Sequence, residues 1–229
     1  MPASVPQAYP ILLDVTRSLA VIVGGGPVAA RKATGLLAAG AGRVRCVAPD
    51  VHPEMPPGVE RVPETFRPEH LDGAALVFAA TDSPDVNDAV VREAHRRGAL
   101  VNRADASDDR PGDFTVPALW RSGAVTVAVS AGSAALAARI RDDLARHVSP
   151  ALVAMAEAMR TLRPRIVTST LPPQARQAAL RSLTDDDALA LAAAGGPPAV
   201  WQWLVARHPA LGDPPAADGD SNTWEGEHQ

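Results

Sequence analysis

At 229 residues the chain has room for one large domain, or for a medium domain with a smaller companion. Apolar residues at 46% and charged residues at 21% give the balance of a globular protein, which excludes a wholly disordered or fibrous chain. A formal net charge of −4 argues against a general nucleic-acid binder, and no stretch approaches the ~18 apolar residues of a membrane span. The N-terminus lacks the basic and long apolar regions of a secretory signal, so a cytoplasmic location is expected.

Residues 11–15 and 19–23 are short apolar runs separated by Thr16-Arg17-Ser18, which predicts two strands and a turn. The second run meets Gly24-Gly25-Gly26. From Pro27 the period turns helical, with Ala29, Ala33, Leu36 and Leu37 on one face, Pro27 at the first helical position and Gly40 as the stop. A strand at 44–48 follows, completing a βαβ unit. Looser copies of the pattern place strands at 59–63, 74–80 and 100–103 and a helix from Pro84 to about Arg97, stopped by Gly98. The fold class expected is α/β: a Rossmann-like parallel sheet in 1–113, a small α+β dimerisation segment in 114–148, and an all-helical subdomain in 149–208.

The polar run 106–113 marks the first boundary. Beyond it come strands at 114–118 and 125–130, a turn at 121–123, and a helix opened by Ser133 with Leu136, Ile140 and Leu144 in register. Helical patches at 150–163, 172–182, 185–194 and 197–207 are separated by Pro164, Pro172-Pro173 and Gly195-Gly196. The end, 209–229, carries five acidic residues and no Lys or Arg, and reads as a disordered tail.

Cys46 is the single cysteine, so an intrachain disulfide and thiolate zinc sites are excluded; its apolar neighbours predict a buried thiol. Lys32 is the only lysine among 22 basic residues, so an Arg in this chain is no deliberate choice over Lys. The six histidines show no metal-binding spacing, and no permanent metal site is expected. Trp201 and Trp203 read as packing residues.

Gly24-Gly25-Gly26-Pro27-Val28-Ala29 fits G-x-G-x-x-A, the dinucleotide fingerprint, and it lies between a strand and a helix as its mechanism requires. Gly24 permits the tight turn, Gly26 lets a pyrophosphate approach the backbone, and Ala29 lets the helix lie close to the sheet. The helix N-terminus then faces the diphosphate. Asp50 ends the second strand, where an acidic residue would bind the adenosine ribose. Its charge favours NAD over NADP, although Arg43 and Arg45 are near in sequence.

Taken together, 24–32 (Gly-Gly-Gly-Pro-Val-Ala-Ala-Arg-Lys), Ala79-Ala80-Thr81-Asp82 with Asn87, and Val101-Asn102-Arg103-Ala104-Asp105 resemble the precorrin-2 dehydrogenase/sirohydrochlorin ferrochelatase family, the N-terminal module of siroheme synthase. The resemblance continues through 114–118, 127–130 and 136–141, so it covers about residues 8–150. It implies a homodimer that oxidises precorrin-2 to sirohydrochlorin with NAD⁺; some members then insert Fe²⁺, and Fe²⁺ or Co²⁺ would be a transient substrate. By the same resemblance, Asp105 is the catalytic carboxylate, Pro27, Val28, Pro49 and Asp50 contact the cofactor, and Thr81 lines the nicotinamide side. Arg103, Ser130, Arg139 and Arg141, with Arg121, are candidates for receiving the carboxylates of the tetrapyrrole.

Two departures stand out. The run Ser130-Ala131-Gly132-Ser133-Ala134-Ala135 is shorter than the family's usual loop and lacks its second hydroxyl and its proline. Arg103 replaces an apolar residue. The first predicts that metal insertion is weak or absent. A nucleotide-sensing regulatory module and an inactive dimerisation scaffold on the same fold are the competing readings, and Asp105 with segment 114–150 discriminates against them.

Overall fold

The structure, a computed structural model, describes residues 9–104 and 112–212. It divides into two compact units, Met1–Val116 and Pro117–Gln229.

In the first unit β1 (Leu19–Val23), α1 (Pro27–Ala38), β2 (Arg43–Val47), β3 (Glu60–Val62), β4 (Ala74–Ala79), α2 (Pro84–Arg96) and β5 (Leu100–Arg103) follow in chain order. The strands form one five-stranded parallel sheet in the order β3-β2-β1-β4-β5. Alternation sorts their side chains to two faces. Ala20, Ile22, Val44, Cys46, Leu76 and Phe78 pack with Ala29, Ala33 and Leu36 of α1, while Val21, Val23, Val47, Val77 and Val101 pack with Val90 and Ala94 of α2. A sheet covered on both faces explains why the strands read as continuous apolar runs.

The strand expected at 11–15 does not form. Ile11, Leu12 and Leu13 are exposed and only Val15 is buried, so the run has no neighbour to complete a ladder. Asp14 accepts hydrogen bonds from the Thr16 N–H and hydroxyl instead, and that local turn satisfies the backbone in place of a strand.

In the second unit β6 (Ala118–Ser122) and β7 (Val125–Val129) form an antiparallel hairpin that packs against α3 (Ala134–Ala145). The expected strand at 114–118 therefore begins only where it was expected to end. Pro117 cannot donate to a ladder, whereas the residues from Ala118 find partners in β7. Ser133 caps α3 as expected, accepting the Leu136 N–H at 3.2 Å.

Three further helices follow: α4 (Pro150–Thr168), α5 (Pro173–Ser182) and α6 (Asp186–Arg207). Pro164 does not end α4 as expected. Leu162 and Ile166 on either side of it are buried in the core shared with α6, and that packing outweighs a lost backbone bond. α6 does break as expected: Gly196 is non-helical (φ 60°), ahead of Pro197 and Pro198. The expected tail begins later than 209: Pro209–Leu211 form a short 3-10 turn, and Leu211 packs on the helical core; the acidic run from Asp213 lies outside the described residues.

Trp201 is the largest side chain at the centre of this core, 1% exposed, with the Arg165 guanidinium 3.9 Å from its ring centroid. Trp203 and Arg207 repeat the stack at 3.9 Å. Both tryptophans therefore pack, as their place in a helix predicts. Trp201→Ala is expected to cost about 3–5 kcal/mol, whereas Arg165→Ala, which removes only the stacked cation, should cost about 0.5–2 kcal/mol. Urea denaturation followed by circular dichroism checks both.

Candidate functional site

The crossover order puts β1 between β2 and β4, so the chain leaves β1 and β4 toward opposite faces and a crevice opens at their carboxyl ends. There the first unit holds a cleft of about 1010 Å³. Its floor is the glycine turn after β1. One wall is Pro49, Asp50, Val51 and His52 after β2, and the facing wall runs from Ala80 to Ser83 after β4, with Ala104 after β5. Glu64, Thr65 and Phe66 close the end beyond β3.

Backbone packing forces the glycines. Gly24 has φ 121°, donates its N–H to Val47 O at 3.0 Å, and would carry a Cβ 2.2 Å from the Ala80 carbonyl oxygen. Gly25 would carry one 1.9 Å from Asp50 O. Its own carbonyl accepts the His52 N–H at 2.7 Å. A Cβ at Gly26 would meet no atom within 4 Å, and would stand in space left open at the helix end. Gly26 is the N-cap of α1 but offers no side-chain cap, Pro27 follows, and the first turn has no acidic residue. The first N–H groups of α1 are thus left for a ligand, the arrangement that favours an anion. A dinucleotide diphosphate suits this cradle.

Gly24, Gly26, Pro27, Val28, Pro49, Asp50 and Thr81 come together as lining residues of this one cleft. Thr81 is held by Asn87, which is fully buried in α2. The Asn87 Oδ1 accepts from the Thr81 N–H at 3.1 Å and from its hydroxyl at 2.8 Å, and Nδ2 donates to Thr81 O at 3.0 Å. In the sequence Asn87 is one member of a motif with no task of its own; the fold gives it one, which is to fix the β4 wall. Gly25 and His52 were also missed. Gly25 occupies a free position of the fingerprint, and His52 had been judged only by metal spacing.

Arg43 and Arg45 do not line the cleft. They pair with Glu60 at 3.4 and 2.9 Å, and the hydrogen bond from Arg45 holds the Glu60 carboxyl below its ordinary range. Arg45 also donates to His70 O at 3.1 Å. Cys46 lies under the floor, fully buried, its thiol 3.3 Å from Gly24 O, and burial pushes its pKa up. Burial also lowers the Lys32 pKa, with Arg31 adding to the effect, and its ammonium sits 5.8 Å from the Phe78 ring centroid.

Asp105 lies outside the described residues. Arg103 is in β5 and pairs with Asp88 of α2, its side chain 13% exposed. Ser130, Arg139 and Arg141 belong to the second unit. Ser130 follows β7, Arg139 pairs with Asp143 at 3.2 Å, and Arg141 with Asp142 at 2.6 Å. Among the described residues no group of three or more His, Cys, Asp or Glu side chains is placed to hold a metal ion, and no helix is long and apolar enough to cross a membrane.

The doubly covered parallel sheet with a glycine cradle at its switch point defines a dinucleotide-binding domain of the Rossmann type. Residues 11–118 match the family model described as "Putative NAD(P)-binding". A siroheme synthase of Chromobacterium violaceum is 41% identical over 131 residues, 55% of this chain and 27% of that protein. One from Photorhabdus laumondii is 40% identical over 164 residues, 69% of this chain and 34% of that protein. The chain thus spans about a third or less of the curated relatives' length. The solved structure of SirC, a precorrin-2 dehydrogenase, shares the fold: TM-score 0.70 at 23% identity, over 86% of this chain and 98% of that one. The chain is therefore similar to siroheme synthases over more than half of its length and shares the fold of SirC.

Because Asn87 satisfies three polar groups of Thr81 from a fully buried position, Asn87→Ala should destabilise the first unit by about 1–3 kcal/mol. Urea melts of the two proteins, compared at equal slope, measure the difference.

Proposed function

We propose that this chain oxidises precorrin-2 to sirohydrochlorin, with NAD⁺ as the hydride acceptor. The observation that carries the reading is the cleft itself: an open glycine cradle, an acidic ribose partner and a fixed Thr81 wall meet in a chain similar to siroheme synthases. NAD⁺ is preferred to NADP⁺ because Asp50 lines the cleft and, among the described residues, no Lys or Arg does. A 2′-phosphate would there meet a carboxylate without a cation to offset it. The two nearby candidates, Arg43 and Arg45, are engaged by Glu60.

The nicotinamide, when bound, supplies the hydride acceptor. The glycine turn and the first N–H groups of α1 bind the diphosphate, Asp50 accepts from the ribose hydroxyls, and Thr81, clamped by Asn87, bounds the reacting end. Asp105 is the base in this reading. It follows Ala104, which lines the cleft and donates its N–H to Ala79 O at 2.9 Å. Loss of hydride leaves the substrate's conjugated system short of electrons and ready to release a proton, and one carboxylate beside it takes that proton. Arg103, Ser130, Arg139 and Arg141 are the proposed contacts for the substrate's carboxylates. Metal insertion by this chain is expected to be weak or absent, since the run 130–135 is shorter than the family pattern and lacks its second hydroxyl and its proline.

A homodimer is part of the proposal. In the second unit Leu136 of α3 is 51% exposed and Leu144 47%, and in α3 only Ala137 is buried. Leu119 of β6 is 39% exposed. A hairpin and one helix with leucines left in water gain most by covering that face with a second copy.

Asp105→Asn keeps shape and much of the hydrogen bonding but removes the proton acceptor. NADH formation from precorrin-2 should fall about 10²–10⁴-fold while NAD⁺ affinity stays within a few-fold. Equal rates would remove Asp105 from the mechanism, and NAD⁺ binding without any NADH from the wild type would favour a sensing module or scaffold. With sirohydrochlorin and Fe²⁺ or Co²⁺ under anaerobic conditions, the wild type should leave the sirohydrochlorin absorption nearly unchanged. Light scattering at micromolar concentration should report a dimer, and Leu136→Glu should shift it toward monomer.

A further inference from the structure

After β2 the chain follows the cleft rim through Asp50 to His52, and His52 is anchored there twice. Its N–H donates to Gly25 O at 2.7 Å, and its Nδ1 accepts the Glu54 N–H at 3.2 Å. An Nδ1 that accepts places the ring hydrogen on Nε2, so the imidazole keeps one donor. Among the described residues no group accepts from that Nε2, and His52 is, with Asp50, a lining residue of the cleft.

The geometry points to His52 as a second cofactor-binding residue, its Nε2–H donating to the adenosine ribose whose hydroxyl protons Asp50 accepts. This rests on the proposal that the cleft takes a nicotinamide dinucleotide. A ribose hydroxyl is donor and acceptor at once; Asp50 as a carboxylate only accepts, so a donor is the missing complement. An imidazole N–H supplies it without placing the fixed cation of an Arg or Lys beside Asp50. The bond from His52 N–H to Gly25 O makes the ribose wall and the diphosphate cradle one body, so the imidazole is positioned before the ligand arrives. Gly25 permits that union, because any Cβ there would strike Asp50 O.

The test is calorimetric binding by the wild type, His52→Gln, His52→Asn and His52→Phe. A Gln amide reaches where Nε2 lies, an Asn amide only as far as Nδ1. NAD⁺ and ADP-ribose should bind the Asn and Phe variants about 3–10-fold more weakly, the range of one neutral hydrogen bond, and the Gln variant within about twofold of wild type. Nicotinamide mononucleotide, which lacks the adenosine half, should bind all four alike. Unchanged ADP-ribose affinity in the Phe and Asn variants overturns the assignment. So does an equal loss in the Gln variant, or an equal loss for nicotinamide mononucleotide, which would mark general damage to the loop. A wild type that binds neither NAD⁺ nor ADP-ribose overturns the cofactor reading of the cleft instead.

Discussion

Three segments of backbone come within van der Waals distance of one another just beyond the sheet, and the rest of the site depends on that approach. Gly24 lies against the Ala80 carbonyl and Gly25 against the Asp50 carbonyl, so the turn after β1 is pressed between the chain leaving β4 and the chain leaving β2. Neither place tolerates a Cβ, and Gly24 also needs a positive φ that side chains resist. Because both neighbouring exits press on this turn, the glycine turn, Asp50 and Thr81 have fixed positions relative to one another. Gly26, by contrast, is glycine for the sake of empty space.

The sheet beneath makes this approach possible. Its strands are buried on both faces by small and branched side chains, and α1 lies close because Ala29, Ala30 and Ala33 face the strands. Small residues at that interface let the helix start directly above the turn, with its first N–H groups unspent. The buried polar residue of α2 serves the opposite wall: Asn87 takes up both backbone groups and the hydroxyl of Thr81. The cleft is thus supported from each side of the sheet by a different helix.

The second unit is built by another logic. Its helical core is closed around Trp201, Leu162, Ile166 and Leu204, and is well served by its own residues. Its hairpin and α3 are not, since leucines there remain in water. One stretch of chain therefore holds both a finished core and an apolar face that the isolated chain leaves open.

Much of this was legible in the sequence. Apolar runs alternating with helical periods determined the parallel sheet, and the glycines between a strand and a helix determined the tight turn that floors the cleft, because both follow from local period and backbone freedom. Ser133 likewise announced its helix as a cap. The run at 11–15 and the proline at 164 misled for a shared reason: whether an apolar segment finds a partner, or a lost hydrogen bond is outweighed, is decided by neighbours distant in the chain. The same holds for Arg43 and Arg45, whose engagement by Glu60 depends on the pairing of β2 with β3. Gly25, His52 and Asn87 take their places at the cleft only through contacts across loops and helices. Local sequence carries propensity and period, whereas the meeting of Gly25 O with the His52 N–H is a property of the folded sheet.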